Sequence, residues 1–558
     1  MDYNILIAGA AGQGMDTVVA NLNKVLQRSG YHLWTNADYK SRVRGGHNFF
    51  QIRFSEDEIT SHKDELDMIF ALNKESIDYH IDRLKKEKSI AIIDESIEGY
   101  EDDNRVKKYP MNEKSKQIGN PKLLSSIGLG IIMKFFGLNL DIAKDIIAEK
   151  FKDEILEMNK KALDYGYSLE DSIYKLEKID WDNILINGNQ AVALGAVAAG
   201  CKFYCGYPMT PSSGVLDYMF RASEKLDIAV EQVEDEVAAL NMALGASFTG
   251  VRAMTGSSGG GIALMQEAIS LQGVTETPIV LINVMRPAPA TGLPTYTEQS
   301  DLRFMMHAGH GEFPRYITAP RNAQDAFDKT VKSFDIAEKY QLISMILSDQ
   351  YLADVDTTLD PFNLDEITIN RYLANPDDYK KGEYKRYEIT ENGISPRLIP
   401  AHANGNFVMA DSDEHNELGR IDESADNRVK MVDKRAKKFE LLKEDVEEPW
   451  EYGAEDFDIL AVCFGSIHGN LKEAIDILND EGMKIKGLSF GDIYPLPTGK
   501  LSKYQKKAHK FVVVEQNHDE QFESLIRQQL LIKPDKSIRK YDGRQMSRDF
   551  LVEKLKEI

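Results

Sequence analysis

Gly206-Tyr-Pro-Met-Thr-Pro-Ser-Ser213, Glu234-Asp-Glu236, Thr255-Gly-Ser-Ser-Gly-Gly-Gly261 and Arg286-Pro-Ala-Pro-Ala-Thr-Gly-Leu-Pro-Thr295 follow one another in the middle of the chain. Each closes an apolar, strand-like run, at 203–207, 228–233, 251–254 and 278–284. Between the second and third runs Val237, Leu240, Leu244 and Phe248 recur at helical spacing, so strands alternate with helices and a parallel sheet is expected. Ligands in such sheets bind beyond the carboxyl ends of the strands, where all four polar stretches fall.

Working outward, 558 residues are too many for one core and predict three or four domains. Lys plus Arg number 68 against 90 Asp plus Glu, and the net charge of −22 argues against a nucleic-acid or anionic-membrane surface. It also makes the chain a poor dock for an acidic electron carrier. Cys201, Cys205 and Cys463 cannot supply the four thiolates of an iron–sulfur cluster and read as reduced core thiols, so no metal site is expected in this chain. A basic leader and a membrane-length apolar run are both missing, and a cytoplasmic protein is expected.

The expected fold class is α/β with three parallel-sheet domains, at 1–177, 178–359 and 451–558, and an irregular linking segment at 360–450. The first domain opens with a strand at 4–8, the turn Gly9-Ala-Ala-Gly-Gln-Gly14 and an amphipathic helix at 16–27. The glycine order is not that of a dinucleotide fingerprint, which favours a turn that packs helix on sheet. Ser41-Arg-Val-Arg-Gly-Gly-His-Asn48 reads either as a solvated basic loop or as an anion or partner contact. Asn187-Gly188-Asn189 is the expected cap of a helix at 191–199. In the linking segment stand three islands, Gly393-Ile-Ser-Pro-Arg397, Asp413-Glu-His415 and Asp433-Lys-Arg435, with His415 read as a surface histidine paired to carboxylates rather than a metal ligand. The last domain alternates strands at 457–465, 485–490 and 510–515 with helices.

The four central motifs, in this order and spacing, resemble the alpha subunit of the 2-oxoacid:ferredoxin oxidoreductases, in the domain that covers the aminopyrimidine of thiamine diphosphate. The glycine turn with Arg44-Gly-Gly46 resembles the gamma subunit of the same enzymes, with Ala10 and Ala11 departing from its glycines, so gamma and alpha resemble a fusion here. Tyr494-Pro-Leu-Pro497 and Glu515-Gln-Asn517 resemble a transketolase C-terminal-like domain, and the three islands also recur in alpha subunits. The domains implied are therefore gamma-type, pyrimidine-binding and transketolase C-terminal-like.

The resemblance implies oxidative decarboxylation of a 2-oxoacid with coenzyme A, giving acyl-CoA, carbon dioxide and reduced ferredoxin. Thiamine catalysis needs a protein carboxylate at the pyrimidine N1′. Glu236, nine residues before Gly245 at the start of a small-residue helix, is the candidate, with Glu234 and Asp235 as rivals and a plain helix N-terminus as the bland alternative. Arg286, emerging from an apolar strand, suits the substrate carboxylate because its two parallel donors fix position and orientation. Thr210 and Thr291 are the further substrate-binding candidates, and Tyr207, Pro208, Ser257 and Ser258 the cofactor-binding ones. Where the family has serine, this chain has Ala290, which bears on substrate breadth. Mg2+ with the diphosphate, and the [4Fe-4S] clusters, are expected only in a partner beta subunit, without which this chain is inactive. The 2-oxoglutarate enzymes are the favoured likeness. Pyruvate or branched-chain substrates, a non-catalytic scaffold and a nicotinamide dehydrogenase built on the first domain are the alternatives.

Overall fold

The computed structural model describes residues 2–41 and 45–558; Arg42 and Arg44 of the basic loop lie outside the described residues. The described chain separates into two compact units, one formed by 1–186 with 354–361 and 547–549, the other by 187–353, 362–546 and 550–558.

The first unit is built on an eight-stranded sheet. Asp2–Ala11 is its central strand, with all but its ends buried, and it pairs parallel to Met68–Ala71 and antiparallel to Gly45–Ser55. The expected parallel sheet is therefore mixed. Antiparallel pairing continues through His32–Asp38 to Asp356–Leu359 and Ile184–Ile186, two short strands from segments that the sequence places in the second domain. Such pairings join segments far apart in sequence and leave no local periodicity to read. At the glycine turn, Gly12 and Gly14 both have φ near +90°, and a Cβ on Gly14 would lie 2.5 Å from Ser125 Oγ. Gln13 closes the turn, its Oε1 accepting from the Ala10 backbone amide at 2.6 Å and from Asn73 Nδ2 at 2.9 Å. His47 is not held out in a loop: its Nε2 meets His80 Nε2 at 2.9 Å and its ring stacks on Tyr79.

The second unit contains a seven-stranded and a five-stranded sheet around one continuous apolar core that runs from Leu240 and Ile262 to Val462, Phe490 and Phe522. In the seven-stranded sheet the neighbours Ala229–Gln232, Phe203–Gly206, Ala253–Ser257, Ile279–Met285, Ile343–Asp349 and Arg315–Thr318 are all parallel. Asp492–Tyr494, the start of the Tyr-Pro-Leu-Pro element, adds an antiparallel edge. The five-stranded sheet is parallel apart from Trp450–Gly453.

The linking segment is irregular from 360 to 424 apart from one short turn, and then forms the helix Ala425–Asp445. Buried ion pairs fasten it. Arg252, Arg371 and Arg397 converge on Glu338, and Lys434 and Lys438, both fully buried, meet the Glu276 carboxylate, Lys434 at 2.6 Å. His415 departs from its expected surface position: it is fully buried, packs its ring on Tyr387, and sits below its ordinary pKa because burial disfavours the cation. The three cysteines are free and buried. No helix of the described residues is long and apolar enough to cross a membrane.

Candidate functional site

Because strands 229–232, 203–206, 253–257 and 279–285 are consecutive parallel neighbours, their carboxyl ends leave the sheet along one edge, and the four motifs follow as adjacent loops. The Asp235 carboxylate accepts from the Ala238 amide at 2.8 Å and caps the helix Glu236–Phe248. Glu234 and Asp235 are exposed, whereas Glu236 is 3% exposed and its Oε1 has no hydrogen-bond partner among the described residues. Three adjacent acids thus have separate situations: one in solvent, one capping, one buried and uncommitted.

The small-residue turn makes room for that carboxylate. A Cβ on Gly261 would lie 2.0 Å from Ser257 Oγ and 2.7 Å from Glu236 Oε1, so no larger residue fits there without moving both. At Gly260 the nearest atom is the Ala290 carbonyl oxygen at 4.0 Å, an open approach from the 286–295 loop. Ser257 and Ser258 are fully buried, and Ser258 Oγ and Thr255 Oγ1 have no hydrogen-bond partner among the described residues. Buried, unsatisfied oxygens are uncommon in folded proteins, and here three of them, with an acid among them, belong to the third motif and to the helix start at Glu236. That donor and acceptor set fits the polar edge of an aminopyrimidine.

Arg286 is 8% exposed and one guanidinium nitrogen donates to the Thr210 carbonyl oxygen. Thr210 is therefore beside Arg286 through its backbone. The turn that carries it is held by Asn189, whose Nδ2 donates to the Pro211 carbonyl at 2.9 Å, and by Ser257 Oγ, 3.5 Å from Met209 Sδ. Asn187 caps the helix Gly188–Ala198 in a reciprocal box with Gln190. Burial pulls Arg286 below its ordinary pKa, and Asp301 opposes that. Tyr207, Pro208 and Thr291 are exposed and lie on the rim of the site, not in its buried floor.

Glu298, Gln299 and Asp301, which the motif reading stops short of, complete the surroundings. The Gln299 amide donates to the Gln516 carbonyl and its Oε1 accepts from the Gln516 amide, Asn517 Nδ2 donates to the Gln299 carbonyl, and Gln299 Nε2 donates to the Phe464 carbonyl at 3.0 Å, so the five-stranded sheet's loops hold the loop after the last motif. Glu515 accepts from the amides of Phe522 and Glu523 at the start of the helix Gln521–Leu530, which assigns the Glu-x-Asn element to packing. Burial, reinforced by Asp301 and Asp542, pushes Glu298 up to about 7. Burial also raises Asp301, against a hydrogen bond from Asn283 and the charge of Arg286. The available signal was the polar run Glu298-Gln-Ser-Asp301 directly after the last motif.

Family models match almost end to end. Residues 194–434 match the thiamine diphosphate-binding region of pyruvate flavodoxin/ferredoxin oxidoreductases, 4–169 the pyruvate ferredoxin/flavodoxin oxidoreductase model, and 457–548 core domain II of pyruvate:ferredoxin oxidoreductase. A 2-oxoacid:ferredoxin oxidoreductase subunit alpha from Sulfolobus sp. is 30% identical, with 100% of this chain and 96% of that one covered. The 2-oxoglutarate synthase subunit KorA of Methanocaldococcus jannaschii is 33% identical over 60% of this chain and 88% of its own length. The structure of 2-oxoglutarate:ferredoxin oxidoreductase from Magnetococcus marinus, with 2-oxoglutarate, coenzyme A and succinyl-CoA bound, superposes with a TM-score of 0.93 at 30% identity, covering 100% of this chain and 99% of that one. The chain belongs to the 2-oxoacid:ferredoxin oxidoreductase family as an alpha subunit, and carries its thiamine diphosphate-binding domain.

Proposed function

We propose that this subunit serves the oxidative decarboxylation of 2-oxoglutarate with coenzyme A, forming succinyl-CoA and carbon dioxide and passing two electrons to ferredoxin, with Glu236 as the cofactor-activating carboxylate. The observation that carries this reading is the buried Glu236 Oε1 without a partner, beside the cradle of Ser257, Ser258 and Gly261. Thiamine diphosphate, when bound, supplies an acidic ring carbon that attacks the ketone and a ring that takes up the electron pair left when carbon dioxide departs. Glu236 holds a proton at the pyrimidine N1′, and its burial strengthens that contact. Ser257 and Ser258 offer hydroxyls to the pyrimidine edge, and Tyr207 and Pro208 border it. Arg286 keeps donors free for the substrate carboxylate, and Thr210 and Thr291 on the neighbouring loops are the further substrate-binding residues of this reading.

The rest of the active site belongs to a beta subunit, which contributes Mg2+, the diphosphate contacts and the [4Fe-4S] clusters. Exposed apolar side chains around the site, Tyr207, Val237, Leu264 and Leu293, support a partner chain covering it. The 2-oxoglutarate assignment draws on the KorA and Magnetococcus marinus relatives. The test is to purify this chain with the product of its neighbouring gene and follow CoA-dependent reduction of a low-potential dye by 2-oxoglutarate, pyruvate and 3-methyl-2-oxobutanoate. Reduction with 2-oxoglutarate is expected. Reduction with another 2-oxoacid alone reassigns the substrate, and a complex that binds no thiamine diphosphate overturns the reading.

A further inference from the structure

The loop that begins with Arg286 is exposed from 288 to 293, while Arg286 and Pro287 before that crown and Thr295 and Thr297 after it are buried. The crown folds back on itself. The Leu293 amide donates to the Pro287 carbonyl at 3.0 Å, and Gly292, at a φ of +54°, lies so close to that oxygen that a Cβ there would stand 1.7 Å from it. These contacts give the loop its shape, but they do not fix where it sits.

The last domain does. Residues 542–546 follow the strand Lys536–Arg539 of the five-stranded sheet and run along the loop. A Cβ on Gly543 would meet Leu293 Cδ1 at 3.0 Å, Tyr296 Cβ at 3.3 Å and Pro287 Cγ at 3.6 Å, so this one glycine packs against both halves of the loop, including the residue next to Arg286. The Thr297 amide donates to the Gly543 carbonyl at 3.2 Å, and Gln516 Nε2 donates to the carbonyls of Thr297 at 3.1 Å and Arg544 at 2.9 Å. The Arg544 guanidinium lies 3.8 Å from the centre of the Tyr296 ring. Gln545 Nε2 donates to Ser466 Oγ at 3.0 Å, Ser466 Oγ donates to Asp349 Oδ2 at 2.6 Å, and Asp349 Oδ1 accepts from Thr297 Oγ1 at 3.4 Å. Asp349 is also the register partner of Met285, the residue before Arg286.

We propose that 542–546 is a positioning arm through which the last domain takes part in substrate binding: Gly543 and Arg544 set the placement of the loop and, through Pro287, that of the Arg286 guanidinium. This rests on the assignment of Arg286 to the substrate carboxylate, and the experiment separates the two. In the assembled complex, Arg544→Ala should raise the KM for the 2-oxoacid about threefold, the scale of an exposed cation–ring contact, and leave the KM for coenzyme A and the affinity for thiamine diphosphate unchanged. Arg544→Lys, which keeps a cation over Tyr296, should restore most of the loss. Gly543→Ala sets a methyl against Leu293 and Tyr296 at a left-handed φ and should raise the same KM about tenfold, because a small displacement of a binding group is costly. The exposed Arg544 serves if Gly543→Ala fails to assemble. In a Tyr296→Leu background Arg544→Ala should change nothing further. A lowered thermal midpoint with both KM values unchanged, or equal rises in both, overturns the proposal. If Arg286→Ala alone leaves the 2-oxoacid KM unchanged, the substrate assignment of the loop falls, and the role of the arm with it; if Arg286→Ala raises that KM and neither arm variant does, the arm alone falls.

Discussion

Glu236 and Glu276 are both buried at helix ends of the same unit, and they are opposites. Glu276 is surrounded by cations: Lys434 and Lys438 bond its carboxylate and Arg386 donates to its backbone carbonyl at 2.9 Å. Burial alone would raise its pKa, but those cations outweigh burial and hold it well below the carboxylate range. Among the described residues, no ion pair reaches Glu236 and one of its oxygens has no hydrogen-bond partner. A buried charge whose every bond is made inside the chain is committed to structure, whereas one left unmatched is available to something that arrives. Burial is shared by the two; the partner list distinguishes them.

The sharpest way to break this contrast is to neutralise both acids in turn. Glu236→Gln should lower turnover of the complex by about a thousandfold, within the range for lost proton-transfer groups, while its thermal midpoint stays at or above that of the native chain. A lowered midpoint with activity retained would make Glu236 structural. On the other side, Lys434→Met leaves Glu276 under-compensated and should cost about 3–5 kcal/mol in denaturant unfolding, as breaking a buried pair does, with the per-molecule activity of the folded fraction intact.

Smaller effects sharpen it. Gly261→Ala pushes a methyl into Ser257 and Glu236 and should cost about 1–3 kcal/mol of stability together with activity, whereas Gly260→Ala, with nothing nearer than 4.0 Å, should leave stability unchanged. The gentlest probe is pH. Since the folded-state pKa of Glu276 is depressed, the unfolded chain binds more protons in acid; its contribution is present above the unfolded value of about 4.5 and is lost as pH falls through the folded one. Thermal midpoints measured from pH 6 downward should therefore fall less steeply in Glu276→Gln than in the native chain.

Much of this was legible in the sequence. Strand runs of four to seven residues ending in glycine- and proline-rich loops marked the strands of the central parallel sheet, though not their order, and the spacing from Glu236 to Gly245 singled out the acid that the fold buries. Legibility ended where a residue's environment is built by distant chain. Lys434 and Lys438 stand in a stretch so polar that it reads as part of an irregular linking segment, whereas the chain forms a helix there and buries both lysines against Glu276. Ile184–Ile186 and Asp356–Leu359 are too short to announce which sheet they join. Asp301 sits beyond the last motif, and its burial depends on Asn283 and Gly259 meeting it in space. His415 looked solvated because its neighbours are acidic, yet the wall formed by Tyr387 encloses it.

The central claim, that Glu236 is the carboxylate kept for the cofactor, is tested most directly by the rate at which the C2 hydrogen of thiamine diphosphate exchanges with deuterium in the assembled complex, read by acid quench and proton NMR. Exchange should slow by about a thousandfold in Glu236→Gln and remain at the native rate in Glu234→Gln. Native exchange in Glu236→Gln, with the cofactor fully bound, would contradict the account.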